Sequence, residues 1–238
     1  MSTRSRYHFQ QNCLSTFLAG HENPQILLLS MMRLLAEHPT LQTELRRQIL
    51  ALPTDLQADA HTLAEIPLLT ATIYETLRLF PPISQLLNRR TTEDIVLGES
   101  DIVLKAGTYV GYNGYVRVKQ ERDCISNNVC RYTTNRDQDF WGPDSHLCRP
   151  ERWGNTPDDI NAVFRKASSK SSFISFHGGK RTCLGIKFAM NTTRVGISVV
   201  LAQLEWRLDP TWVRKMTPAG PLMPKGLKLQ FTRVEEKS

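Results

Sequence analysis

The sequence predicts a mainly α-helical fold with small β-sheets, and three observations predict it. Apolar residues recur at helical spacing over long stretches at both ends of the chain. Short β-type runs, punctuated by Gly98 and Gly107, fill the middle. The proline pair Pro81-Pro82 separates the two textures. With 238 residues, 40% hydrophobic and 22% charged, the chain is long enough for a substantial core and too apolar for disorder.

A first long helix is expected from about Tyr7 to Glu37. Leu14, Phe17, Leu18, Leu27, Leu28, Met31, Met32 and Leu35 recur on its helical period, and His38-Pro39 ends it. At about 1.5 Å per residue it would be roughly 45 Å long, enough to cross a domain. Pro24 lies inside it and should kink it or loosen its hydrogen-bond ladder. A second helix is expected over Leu41 to Leu50, then a polar linker over Asp55 to Ala60 and a further amphipathic helix within Leu63 to Phe80. The runs Ile95 to Leu97, Ile102 to Leu104 and Tyr109 to Tyr112 read as one small antiparallel sheet. Residues 134–172, rich in Pro, Asp, Ser, Trp and Arg, read as a long irregular meander, a kind of loop that is usually functional. A last helix is expected from near Cys183 to about Leu204, and an alternating strand over Leu227 to Val234 closes the chain.

Composition narrows the function classes. The net charge of +7 suits acidic partners, but no stripe of Lys and Arg interleaved with aromatics is present, so nucleic acid is not an expected partner. The five cysteines, at 13, 124, 130, 148 and 183, are odd in number, irregularly spaced and without a CxxC, which argues against a disulfide framework and a structural zinc site. The most apolar long window, Cys13 to Leu35, contains His21, Glu22, Asn23 and Arg33 and makes a poor membrane span. The chain is therefore expected to carry no membrane anchor or signal peptide of its own.

The strongest chemical signal is Phe176-His177-Gly178-Gly179-Lys180-Arg181-Thr182-Cys183-Leu184-Gly185. The glycines permit a tight loop. A cysteine just before an apolar helix meets the positive end of the helix dipole and free N–H groups, which favours its thiolate, and Lys180 and Arg181 add positive charge. On local chemistry alone, a buried structural cysteine beside a glycine turn explains the stretch equally well. The spacing Phe-x-x-Gly-x-Arg-x-Cys-x-Gly, with Phe176, Gly179, Arg181, Cys183 and Gly185 in place, resembles the haem-ligand signature of the cytochromes P450. The resemblance implies that the Cys183 thiolate ligates the iron of haem b (iron protoporphyrin IX), that Phe176 shields the sulfur, that Arg181 pairs with a haem propionate, and that the glycines keep side chains off the porphyrin face.

Three further motifs carry the same resemblance. Tyr74-Glu75-Thr76-Leu77-Arg78-Leu79-Phe80-Pro81-Pro82 is similar to the family's K helix; read alone, Glu75 and Arg78 are an ordinary i,i+3 pair of the kind found on solvated surfaces. With Pro150-Glu151-Arg152-Trp153 from the meander, the resemblance implies a buried charge triad of Glu75, Arg78 and Arg152. Ala19-Gly20-His21-Glu22-Asn23-Pro24 is similar to the oxygen-binding stretch of the family's I helix. It implies catalytic roles for Gly20, which opens the helix where dioxygen sits, and for Glu22 and Asn23, where proton delivery is handled. Asn23 stands where the family usually has Thr, and an amide does not relay a proton as a hydroxyl does, so proton delivery would need Glu22, His21 or ordered water. This variant resembles a fungal branch that includes spore-wall dityrosine-forming enzymes. Arg89 or Arg90 is implied as a second propionate partner, and Ile83 to Leu87 and Pro221 to Met223 as substrate-facing walls.

The resemblance covers nearly the whole chain, from the long I-type helix through the cysteine-ligand loop to the final helix. It covers only the C-terminal portion of the cytochrome P450 fold. The expectation is a partial domain over 1–238, with 116–132 as an insertion or a retained intron. The implied function is a haem-thiolate monooxygenase that inserts one oxygen atom from dioxygen into a small organic substrate, with electrons from an NADPH-dependent reductase. Lys180, Arg181 and Lys187 are candidates for its docking face. A full-length parent is expected at the endoplasmic reticulum membrane, attached only through its missing N-terminal part. The alternative is a truncated, inactive fragment that binds haem or fails to.

Overall fold

The computed structural model describes residues 3–83, 85–98, 101–113, 134–217 and 221–234. The proposed insertion at 116–132 lies outside the described residues. Helix α1 runs unbroken over Thr3–Glu37, so Pro24 is accommodated within a continuous helix rather than ending it. Its first half and second half differ sharply. Residues 6–19 are exposed, whereas Leu27, Met31, Leu34 and Leu35 are fully buried.

Around that buried half the other helices assemble. Helix α2 (Pro39–Leu50) and helix α4 (Pro67–Leu79) each begin on a proline at the first helical position, where no N–H is needed. The short α3 (Ala60–Ala64) is capped by Asp59, whose carboxylate accepts the Thr62 N–H at 2.7 Å. Helix α4 stops at Phe80, ahead of the two prolines. Helix α7 (Ile186–Gln203) packs against α1, α2 and α3. Leu45 and Ile49 of α2, Leu69 and Ile73 of α4, and Ile197 and Leu201 of α7 complete one core.

The β-structure differs from the single sheet expected. Strand β1 (Gln85–Arg90) pairs antiparallel with β4 (Tyr109–Asn113), with a register shift between Leu87 and Arg89. Strands β2 (Ile95–Val96) and β3 (Val103–Leu104) form a separate two-residue ladder. A third ladder pairs β5 (Leu204–Leu208) with β6 (Leu229–Arg233); the sequence predicts β6, whereas it predicts only a helix end at about Leu204 and no strand over β5. The stretch 134–172 is also less irregular than its composition suggests. It contains a short helix α5 (Gln138–Trp141) and the longer α6 (Pro157–Ser169), whose Thr156 hydroxyl accepts the Asp159 N–H at 3.1 Å.

Two polar side chains fasten α2 to the end of α7. Arg46 donates to the carbonyls of Leu201 (2.9 Å) and Leu204 (2.8 Å), groups that a helix C-terminus leaves without partners. Gln42 bonds both backbone groups of Trp206 and the carbonyl of Leu35. Replacing Gln42 with Leu strands those buried groups. The expected result is a loss of about 1–3 kcal/mol, read as a lower urea midpoint with an unchanged slope.

Candidate functional site

Two centres, one charged and one built around a cysteine, are joined by the chain between them. Glu75, on α4, is fully buried and its two oxygens collect five hydrogen bonds. Arg78 holds them with both prongs of its guanidinium, at 2.8 and 2.7 Å. Arg152 reaches one oxygen at 3.1 Å, the Arg149 N–H reaches the same oxygen at 2.9 Å, and the Trp153 indole N–H reaches the other at 2.9 Å. The structure thus brings Glu75, Arg78 and Arg152 together. The Arg149 amide and the Trp153 indole were not foreseen: a backbone donor has no sequence signal, and Trp153 was legible only as the neighbour of Arg152.

Arg78 spends its remaining donors on the meander, bonding the carbonyls of Asn135, Ser145 and Leu147. Fully buried Asn135 carries the connection onward. Its amide accepts from the Ile174 N–H at 2.9 Å and donates to Ser175 Oγ at 2.8 Å, and Ser175 Oγ donates to Leu77 O at 2.7 Å. An aromatic chain follows the same route, from Tyr74 to Trp153 (5.1 Å between centroids), to Phe173 (5.2 Å), to Phe176 (6.5 Å). Beside this centre, burial, and secondarily the Glu75 carboxylate, pushes the Cys148 thiol up to about 12.

Phe176 opens the cysteine loop. Its carbonyl accepts the Cys183 N–H at 2.8 Å, closing the loop on itself. Between them His177 and Gly179 adopt left-handed backbone, with φ of 62° and 60°. The Cys183 sulfur accepts the Gly185 N–H at 3.3 Å, and Gly185 is the N-cap of α7. Cys183 itself is exposed, as are Arg181 and Lys187. The helix begins at Ile186, three residues later than expected, so the sulfur sits ahead of the helix mouth.

The remaining predicted residues are placed as follows. Gly20, half-buried on α1, faces α7: a Cβ there would lie 3.6 Å from the ring of Phe188. The long helix and the cysteine-bearing helix start therefore meet at this position. Pro24 offers no N–H to the Gly20 carbonyl four residues earlier. Asn23 donates back to the Ala19 carbonyl at 3.4 Å, and Glu22 is exposed. Arg90 is engaged with the Gly107 carbonyl (3.1 Å) and lies 5.4 Å from the Tyr109 ring, whereas Arg89 is exposed opposite Val110.

The family profile described as Cytochrome P450 matches residues 2–122 and 127–231. The chain belongs to the cytochrome P450 family. Among P450 relatives, Cytochrome P450-DIT2 of Saccharomyces cerevisiae is 38% identical over 92% of this chain. Cytochrome P450 monooxygenase xanG of Aspergillus fumigatus is 36% identical over the same share. The chain spans 40% and 37% of the lengths of these two fungal relatives. A crystal structure of a cytochrome P450 (CYP102L1) superposes with a TM-score of 0.70 over 92% of this chain and 44% of that one, at 23% identity, and so shares its fold. Among the described residues, no helix is long and apolar enough to cross a membrane.

Haem iron is the family's cofactor, and the residues present fit it. Cys183 would offer one soft donor to the iron, and its sulfur already accepts a backbone N–H that would moderate the thiolate charge. Among the described residues, nothing lies within 4 Å of where Cβ atoms on Gly178 and Gly179 would stand. Leu184 is fully exposed beside the cysteine, and the Phe188 ring is largely exposed. An open, glycine-lined loop with apolar neighbours and a guanidinium at Arg181 matches a flat apolar macrocycle with an acidic rim.

Two predictions follow from this geometry. Arg78→Met removes one partner of a buried ion pair and should cost about 3–5 kcal/mol in equilibrium unfolding, with Arg78→Lys recovering only part of it. At about pH 8, iodoacetamide should alkylate Cys183 and Cys13 in the native chain and spare Cys148 until denaturant is added, as peptide mapping would report.

Proposed function

We propose that this chain supplies the thiolate-ligand portion of a haem-dependent monooxygenase. The observation that carries the reading is the exposed Cys183 sulfur, held by the Gly185 N–H in a loop closed by Phe176. When bound, haem b supplies the activation of dioxygen by which one oxygen atom enters an organic substrate.

The chain's own residues have distinct parts in this reading. Cys183 would hold the haem iron through its thiolate, and the Gly185 N–H would temper the charge on its sulfur. Phe176 stands beneath the loop and keeps water from its buried side. Arg181 and Arg89 would be the cations for the haem's acidic groups; Arg89 is preferred over Arg90 because Arg90 already donates to the Gly107 carbonyl. Gly20 leaves room on the helix face that meets α7. Asn23, bonded back to Ala19, orients rather than relays, so proton supply falls to Glu22, His21 or ordered water; both residues are exposed. Glu75, Arg78 and Arg152 hold the loop's approach.

An NADPH-dependent reductase is the proposed electron donor, approaching the exposed Lys180, Arg181 and Lys187. The substrate is a small organic molecule, and the whole protein is assigned to the endoplasmic reticulum membrane. The bounds proposed for the domain are 1–238, with 116–132 as inserted sequence. A second reading is favoured by the exposed Phe9, Phe17 and Leu18 on α1: this stretch of chain, alone, binds haem weakly or not at all and is inert.

Haem titration into the purified chain separates these readings. The proposal expects one haem per chain with a thiolate-type absorption spectrum, lost in Cys183→Ala and altered in Cys183→His. The same spectrum in wild type and Cys183→Ala would refute the ligand assignment, and no uptake by wild type would leave the second reading standing.

A further inference from the structure

Arg33 has no part in the chemistry above, yet its burial is nearly complete, at 3% exposure, on the core face of α1. A charge in that position needs compensation. Its guanidinium donates to Glu37 at 3.0 Å, reaches the Met216 sulfur at 2.9 Å, and lies 4.8 Å from the Phe80 ring centroid and 5.6 Å from that of Trp212. Glu37 also receives Arg214 at 2.9 Å. One planar cation therefore touches three separated parts of the chain: α1, the end of α4 at Phe80, and the segment 212–216.

Those last two parts lead directly to a contact between loops. Beyond Phe80, the Pro82 carbonyl accepts the Leu222 N–H at 2.9 Å, and Ile83 bridges Pro221. Beyond Met216, Thr217 bonds both backbone groups of Met223, the N–H through its hydroxyl, and Met216 bridges Pro224. Among the described residues, the junction of 81–83 with 221–224 carries the Pro82–Leu222 hydrogen bond and the Ile83–Pro221 bridge.

We propose that Arg33 is a positioning residue that sets the separation and angle of these two segments, and through them the shape of the substrate pocket wall. The pocket consequence rests on the monooxygenase reading; the positioning itself does not. Stacking on two rings while donating in plane requires the flat guanidinium fork. Lysine keeps the charge but not the plane, so it is expected to substitute poorly. Glu37 retains Arg214 when Arg33 is removed, so an Arg33→Met variant leaves no carboxylate stranded and fills the same space.

The test compares wild type, Arg33→Met and Arg33→Lys by amide hydrogen exchange. The expected result is faster exchange at the Leu222 and Met223 amides, by about tenfold or more, with the amides of Leu34 and Ile197 unchanged in both variants. Unchanged exchange at Leu222 and Met223, or acceleration shared equally by Leu34 and Ile197, overturns the proposal, the second by marking a purely global loss of stability. A second arm uses the haem-loaded chain with two iron-ligating probes, imidazole and 4-phenylimidazole. Both variants should weaken 4-phenylimidazole by about fivefold relative to imidazole, since only the phenyl group meets the wall. An equal effect on both probes rejects the pocket role. Failure of the wild-type chain to load haem counts against the monooxygenase reading, and the exchange arm then decides for or against Arg33 on its own.

Discussion

The carboxylate of Glu75 is the constraint on which the ordering of the meander and the cysteine loop depends. It is fully buried, and burying a charge is favourable only when every lone pair is met. Here Arg78, Arg152, the Arg149 amide and the Trp153 indole meet it. The meander from 134 to 153 has little ladder of its own, and Arg78 substitutes for one by binding three of its carbonyls. An irregular backbone is thereby fixed by one helix face.

That fixation is handed on. Asn135 receives Arg78 at its carbonyl and holds Ile174 and Ser175 with its side chain. Ile174 and Ser175 immediately precede Phe176, whose carbonyl closes the loop on Cys183. Tyr74, Trp153, Phe173 and Phe176 pack along the same line, each aromatic pair adding about 0.5–1.5 kcal/mol beyond its burial. The cysteine thus stands at the exposed end of a buried relay of hydrogen bonds and packed rings. The core of α1, α2 and α7 supplies the other wall, where Gly20 approaches Phe188.

How much of this was legible in the sequence depended on the kind of signal. Cys183, Glu75, Arg78 and Arg152 were picked out by motif spacing; by local physics alone, Glu75 and Arg78 looked like a solvated i,i+3 pair, because burial is a tertiary property. The meander's helix α6 was misread although its start signals were all there: Thr156 as cap, Pro157 at the first position, Asp158 and Asp159 in the first turn. Their loop-like composition outweighed them. Strand β5 was hidden because Leu204 to Leu208 runs on from a helical pattern, and only its pairing with β6 makes it a strand. The expected single sheet became separate ladders because register, not β-propensity, decides partners. The contacts of Arg33 and Asn135, each spanning distant segments, had no local signature at all.

The most direct test of the relay is amide hydrogen exchange at Cys183 in a Glu75→Gln variant. That change keeps the shape of the side chain and removes its charge, leaving Arg78 without its ionic partner. The Cys183 amide, bonded to the Phe176 carbonyl, is expected to lose protection together with those of Ile174 and Arg149, while the amides of α2 stay protected. Retained protection at Cys183 alongside lost protection at Arg149 would contradict it, because the cysteine loop would then be held independently of the buried charge.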